Sequence, residues 1–308
     1  MATPAAEPLS RRGFLAVALG SAALATRPVA ANPVTIQRPI PSSGESIPVI
    51  GLGTWRTLDV GPGASERAPL RDVLREFVNL GGRLVDSSPM YGRAEQVVAD
   101  LAVELGIHKR LFLATKVWTS GRDAGVRQML ESSRRLRTDR LDLIQVHNLL
   151  DWRTHLATLR RWKEQGTVRY LGVTQYTEGA HDELTRVLQA ETVDFVQVNY
   201  SIAERGAERR ILPVAAERRV AVIANRPFAE AQLFSRVRGK ALPPWAAEIG
   251  CASWAQFFLK FVVSHPAVTC AIPATAKVTH LVDNMQAGVG PLPDEPMRAR
   301  MARVVADL

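Results

Sequence analysis

The sequence predicts a single-domain α/β protein, a closed (β/α)8 TIM barrel, on three observations. Eight short apolar segments alternate with eight longer segments of helical periodicity from residue 46 onward. The short segments are near-continuous apolar runs, as strands buried on both faces of a parallel sheet must be. The turn after the first of them, "GLGTWRTLDVGPG", has no G-x-G-x-x-G opening a helix, which argues against a doubly wound open sheet.

The elements follow in order. Strand one is "VIGLGTW" (49–55), and "APLRDVLREFVNLGG" after it has the apolar spacing of an amphipathic helix. Strand two, "RLVDSS" (83–88), leads to the helix "AEQVVADLAVELG", and strand three, "LFLATKV" (111–117), to "GVRQMLESSRRL". Strand four is "LDLIQVHN" (141–148), followed by "WRTHLATLRRWKEQG"; strand five is "VRYLGVTQ" (168–175), followed by "HDELTRVLQA". Strand six, "VDFVQVNYS" (193–201), precedes "ERRILPVAAERR", and strand seven is "VAVIANRP" (220–227). A long loop, "FAEAQLFSRVRGKALPP" (228–244), separates strand seven from its helix at 252–264; in a barrel it lies over the catalytic face as a lid or wall. Strand eight, "VTCAIPAT" (268–275), is followed by "HLVDNMQAG", and "DEPMRARMARVVADL" reads as a closing amphipathic helix.

Composition agrees with one large core: 308 residues, 46% hydrophobic and 22% charged. The net charge is +9, but the basic runs "SSRRLRTDR" and "ATLRRWKEQG" have helical spacing and no interleaved aromatics. They read as solvated outer helix faces, so no nucleic-acid partner is expected. Cys251 and Cys270 flank a helix spanning ~20 Å. A disulfide needs Cα atoms within about 7 Å, so two free, core-type thiols are expected.

The N-terminus carries "SRRGFL" (10–15), an apolar stretch from Leu15 to Thr26, and small residues at Val29 and Ala31. It resembles a twin-arginine export signal cleaved after Ala31. This divides the chain into a signal over 1–31 and a barrel domain over 32–308, bound for the periplasm through the twin-arginine export machinery. The apolar stretch is shorter than the roughly 20 residues of a membrane span, so no stable span is expected.

Barrel enzymes place their chemistry at the C-terminal ends of the strands. There, strand two carries Asp86, strand three Lys116 and strand four His147, with Tyr91 in the loop after strand two. Each has a bland reading alone: a turn cap, a snorkelling lysine, a core histidine. Three ionisable groups at matching depth on consecutive strands point instead to a site. A tyrosine titrates near pH 10; a neighbouring ammonium held by Asp86 is expected to lower that value, and His147 to hydrogen-bond a substrate oxygen. Such a set protonates a carbonyl oxygen while something else attacks its carbon.

Over residues 34–290 the sequence resembles the aldo/keto reductase superfamily. The resemblance is carried, in order, by "GLGTW", the run from Asp86 to Gly92 (the pattern D-x4-Y-G), "LATKVW", "LIQVHN", "GTVRYLGVTQY", "VQVNYS" and "IPATAKVTHLVDN". It implies reduction of an aldehyde or ketone by hydride from NADPH, with NADH possible and no metal. It makes Tyr91 the acid–base, tuned by Lys116 and Asp86, with His147 orienting the carbonyl. Gln197 would take the nicotinamide carboxamide, and Thr275, Lys277, His280 and Asn284 the adenosine phosphate. Gly53, Thr54, Trp55, Thr174, Gln175, Asn225, Arg226, Pro227 and Phe228 complete the expected cofactor contacts. Trp55, Trp118 and the 228–244 loop would line a substrate pocket, Trp118 being core packing in the alternative, and the protein would be a monomer.

Three departures from the family pattern stand out, one of them a residue pair. Thr174-Gln175 stands where Ser-Asn is usual, Asn225 where a tyrosine stacks on the nicotinamide, and His280 where an arginine meets the 2′-phosphate. Two other readings stay open: a low-turnover NADP(H)-binding redox sensor, and a lyase using Lys116 as a Schiff base.

Overall fold

The computed structural model describes residues 1–3 and 35–308, so the predicted export signal falls outside the described residues. An antiparallel hairpin comes first, β1 (Gln37–Pro39) with β2 (Ser46–Pro48). The barrel then runs β3 (Leu52–Gly53), α1 (Ala64–Asn79), β4 (Leu84–Asp86), α2 (Ala94–Glu104), β5 (Phe112–Val117) and α3 (Arg122–Arg135). It continues through β6 (Leu141–Val146), α4 (Trp152–Glu164), β7 (Val168–Thr174), α5 (His181–Ala190), β8 (Phe195–Asn199), α6 (Ile211–Glu217) and β9 (Ala221–Asn225). A short α7 (Gln232–Arg236), then α8 (Trp254–Ser264), β10 (Val268–Ala271), α9 (Val278–Gln286) and α10 (Glu295–Ala306) complete it.

Strands β3 to β10 hydrogen-bond in sequence order, every pair parallel. The last meets the first through parallel bridges at Ile50–Ala271 and Gly53–Ala274, which close the cylinder. Closure is tight: a Cβ on Gly53 would stand 2.8 Å from the Ile272 carbonyl oxygen, so only glycine admits this approach. The same seam explains why the seven-residue run expected at 49–55 forms a ladder strand of only Leu52–Gly53, with isolated backbone bonds around it.

Strand alternation sorts the side chains into two layers. Outward residues meet the helices in one continuous apolar shell. Leu84, Phe112, Leu143, Tyr170, Phe195 and Ile223 point inward and fill the lower barrel together with Ile40 and Ile47 of the hairpin loop and β2. The hairpin thus plugs the N-terminal mouth and leaves the C-terminal mouth for chemistry. Its strands are three residues each, too short for a periodicity reading, and the sequence gives no other sign of them.

Continuing each inward row by two residues toward the open mouth gives a second, polar layer. Leu84 leads to Asp86, Ala114 to Lys116, Leu143 to Gln145 and His147, Phe195 to Gln197, and Ile223 to Asn225. Register sets them side by side: Asp86 pairs Ala114, Lys116 pairs Gln145, and Thr174 pairs Gln197. The 228–244 loop contains α7, and a 3-10 turn at Pro244–Ile249 follows it. Helix α8 starts at its N-cap Ser253, whose hydroxyl accepts from the Gln256 backbone N–H. Cys251 and Cys270 are free and buried.

Candidate active site

Asp86 and Lys116 form a buried ion pair at the floor of the open mouth. Lys116 Nζ donates to Asp86 Oδ2 at 2.6 Å and to the Ser87 carbonyl at 2.7 Å. The other carboxylate oxygen, Oδ1, accepts from Gln197 Nε2 at 2.9 Å and Gln145 Nε2 at 3.2 Å. A buried charge persists only when paired and hydrogen-bonded, and here both oxygens are engaged. Burial alone would lower the lysine's pKa, but Asp86 and then Tyr91 outweigh it and raise it. Lys116 is therefore a firmly charged ammonium. A Schiff-base lyase needs a neutral amine, so the arrangement counts against that reading.

A tight turn brings Tyr91 over this pair. The Tyr91 N–H donates to the Ser88 carbonyl at 3.0 Å, and the Met90 N–H donates to Ser88 Oγ at 3.2 Å. Lys116 Nζ lies 5.1 Å from the centre of the phenol ring. The net effect on the phenol is opposite to the sequence expectation. Burial raises its pKa, Lys116 lowers it, and Asp86 cancels part of the ammonium's field, leaving the phenol above its ordinary value. At neutral pH Tyr91 is a loaded proton donor rather than an activated one.

His147 stands edge-on to Tyr91, ring centres 6.1 Å apart at 85°, and its ring lies 6.3 Å from that of Trp118. Burial first and the Lys116 charge second press its pKa down to about 3, so the imidazole is neutral. Its Nδ1 lies 3.3 Å from Ser88 Oγ.

These groups open into a cavity of about 1080 Å³ that runs from the strand ends to the N-terminal ends of α8 and α9. That exceeds the 300–1,000 Å³ of sites for drug-sized ligands. Asp86, Tyr91 and His147 line it, and so do Gly53, Thr54 and Trp55 after the first barrel strand. Thr174, Asn225, Arg226, Pro227 and Phe228 form the wall from β7 and β9, and Thr275, His280 and Asn284 the far end. Lys116, Gln175, Gln197 and Lys277 do not line it. Gln197 lies just beneath, tied to Asp86, while Gln175 turns its Oε1 back to the Tyr176 N–H at 2.8 Å. Lys277 is the exposed N-cap residue of α9.

Trp118 lines the cavity and is 39% exposed, so it is wall rather than core. Where a stacking tyrosine was expected to be missing, Asn225 donates to the Gln175 carbonyl and to Gln197 Oε1, both at 3.4 Å. Several cavity residues were not singled out from sequence: Arg56, whose guanidinium lies 4.2 Å above the Trp55 ring, Trp254, and Asp283. Gln145 and Ser88 lie within the family motifs, which imply no role for either. Gln145 had a readable signal, being polar in an apolar strand and two residues before His147 on the same face. Asp283, which accepts from Ser253 Oγ and Gln256 Nε2, had none beyond adjacency to Asn284.

The profile of the aldo/keto reductase family matches residues 49–302. The chain belongs to the aldo/keto reductase family. Among its relatives, the methylglyoxal reductase YeaE of Escherichia coli is 32% identical over 256 residues, covering 80% of this chain and 88% of that protein. The crystal structure of a Klebsiella pneumoniae aldo-keto reductase in complex with NADPH aligns at a TM-score of 0.71 and 28% identity, over 88% of this chain and 95% of that one. A second Klebsiella pneumoniae aldo/keto reductase structure, in complex with NADP and acetate, aligns at 0.68 and 27% identity, over 85% and 93%. Among the described residues of this aldo/keto reductase, no three His, Cys, Asp or Glu side chains come together as a metal site, and no helix is long and apolar enough to cross a membrane.

Proposed function

We propose that the protein reduces the carbonyl of a small aldehyde or ketone with NADPH, Tyr91 delivering the proton. The carrying observation is a neutral phenol and a neutral imidazole facing one cavity above a sealed Asp86–Lys116 pair. The residues present fit the dinucleotide. The cavity is larger than a small carbonyl compound needs, with Asn225 on one wall and the start of α9 on another. A helix N-terminus with Thr275, Lys277 and His280 beside it suits a phosphate. Asn225 Oδ1 is buried without a partner among the described residues. Thr174 and Asn225 would hold the nicotinamide end, with Gln197 beneath supporting Asn225, and Asn284 and Asp283 would hold the adenosine end. Gly53, Thr54, Trp55, Arg226, Pro227 and Phe228 would lie along its length.

Bound there, the reduced nicotinamide supplies a hydride to the carbonyl carbon. The chain's own residues handle the oxygen. His147 hydrogen-bonds and orients it, and Tyr91 protonates it as negative charge grows, because an alkoxide is a far stronger base than a phenolate. Lys116 then steadies the phenolate left behind, and Asp86 with Gln145 and Gln197 keeps that ammonium fixed. Trp55 and Trp118 would give the reacting atoms an apolar wall.

The experiment is NADPH oxidation followed by absorbance, with methylglyoxal first, since a relative carries that name, then larger and aromatic aldehydes. Tyr91→Phe is expected to lose about 10²–10⁴-fold in kcat while still binding NADPH. Wild-type turnover in that variant would remove the proton donor. Tight cofactor retention with negligible turnover on every carbonyl would favour the redox-sensor reading.

The arginine pair and apolar stretch of the N-terminus support export through the twin-arginine machinery to the periplasm, with cleavage after Ala31. Replacing Arg11 and Arg12 by Lys should leave the protein in the cytoplasmic fraction; periplasmic recovery of that variant would refute this route.

A further inference from the structure

We propose that Ser88 sets the tautomer of His147: its hydroxyl donates to Nδ1, and the imidazole proton is thereby kept on Nε2, facing the cavity. This rests on the reductive reading of the site, and it explains how a neutral histidine there becomes a donor rather than an acceptor.

A neutral imidazole has one donor and one acceptor nitrogen, and the partner of one decides the state of the other. Ser88 is fully buried, and its Oγ sits between two groups. The Met90 N–H can only donate, so Oγ accepts there, at 3.2 Å. The remaining contact is His147 Nδ1 at 3.3 Å. If Nδ1 carried the proton, Oγ would accept twice, and the serine's own proton would have no acceptor among the described residues. If Nδ1 is bare, the serine donates to it and each group of the trio is satisfied. A buried polar hydrogen left unpaired forfeits its hydrogen bond while staying out of water, which decides between the tautomers.

The outer nitrogen supports the same assignment. Nε2 makes no hydrogen bond to any described residue, yet it is not among the buried atoms lacking a partner. It reaches the cavity that His147 lines. The Tyr91 and Trp118 rings both pack near the imidazole, centres 6.1 and 6.3 Å away, and restrict its freedom to flip and exchange the two nitrogens. Protonating both nitrogens is opposed by burial and by the Lys116 ammonium. Ser88 is thus a positioning residue. It touches no substrate, but it determines that the histidine presents N–H, and not a lone pair, to a carbonyl oxygen.

The test is nitrogen-15 NMR of histidine-labelled protein at neutral pH without substrate, with His147 assigned by its loss in His147→Asn. Wild type should show a protonated Nε2 and a bare, hydrogen-bonded Nδ1. Ser88→Ala should show a second population with the proton on Nδ1. Its kcat should fall roughly tenfold, part of the 10²–10³ cost of losing an oxyanion donor outright, with NADPH affinity unchanged. Ser88→Thr, which keeps the hydroxyl, should restore both spectrum and rate. A wild-type proton on Nδ1, or a Ser88→Ala spectrum and rate identical to wild type, would overturn the proposal. Should Ser88→Ala fail to fold, the wild-type and Ser88→Thr spectra decide it. The spectra do not need turnover, so a protein that reduces no carbonyl yet shows this shift would sink the reductase reading and leave the tautomer assignment standing.

Discussion

Lys116 and Asp86 meet at 2.6 Å with side chains 0% and 3% exposed, and the carboxylate's second oxygen is held by two glutamines from two further strands. Four barrel strands therefore converge on one carboxylate. The pair is a joint of the cylinder as well as a part of the site.

Lys116→Met should expose this double role. It leaves Asp86 buried without its counter-charge, a change that costs about 3–5 kcal/mol. Urea unfolding should show that loss, and kcat should fall because the phenolate formed in turnover loses its cation. The double variant Asp86→Asn/Lys116→Met should recover a large part of the stability but none of the rate. If the single variant unfolds at the wild-type urea concentration, the pair is not buried as described.

The pH dependence of reduction follows from two shifts of known sign. Tyr91 acts while protonated, so its activity is present below its folded pKa and lost above it, and that pKa lies above the ordinary value near 10. His147 acts as the neutral imidazole, present above about 3. Steady-state kcat/KM should therefore stay level from about pH 5 to about pH 9. A histidine-type inflection near the ordinary value of about 6.5 would show that His147 is not desolvated as its surroundings indicate.

How much of this was legible depended on the physics involved. Asp86, Lys116 and His147 could be read because each interrupts an apolar strand at the end where a barrel keeps its chemistry. The eight-fold alternation itself rested on periodicities that burial enforces. Gln145 breaks its strand in the same way, but its signal is masked by His147 two residues later. The direction of the Tyr91 shift was not readable, because it depends on how far burial and the Asp86 charge offset the ammonium, and sequence reports neither. The hairpin at the lower mouth escaped for another reason: Ile40 and Ile47 are two isolated apolar residues whose burial comes wholly from the barrel above them. The proposed adenosine end is legible only through family motifs, since its exposed Lys277 and His280 resemble any polar helix start.

His265 offers a stability prediction remote from the chemistry. It lies between α8 and β10, where burial first, and Arg298, Arg38 and Arg205 against the opposing Glu208, hold its pKa at about 4. Its Nδ1 accepts from the Ala267 N–H at 3.2 Å, a bond that only the neutral ring can make. The unfolded chain binds a proton here below about pH 6.5, while the folded chain does not until about pH 4. Between those values the unfolded state holds more protons, so stability falls as pH falls. The full shift would be worth about 3 kcal/mol, and partial solvent access reduces this to roughly 1–2 kcal/mol. Asn at this position keeps an acceptor for Ala267 but cannot titrate. Urea unfolding at about pH 7 and about pH 4.5 should therefore show wild type losing roughly 1–2 kcal/mol more than His265→Asn. Equal losses in the two proteins would mean that His265 titrates in the folded chain as it does in the unfolded one.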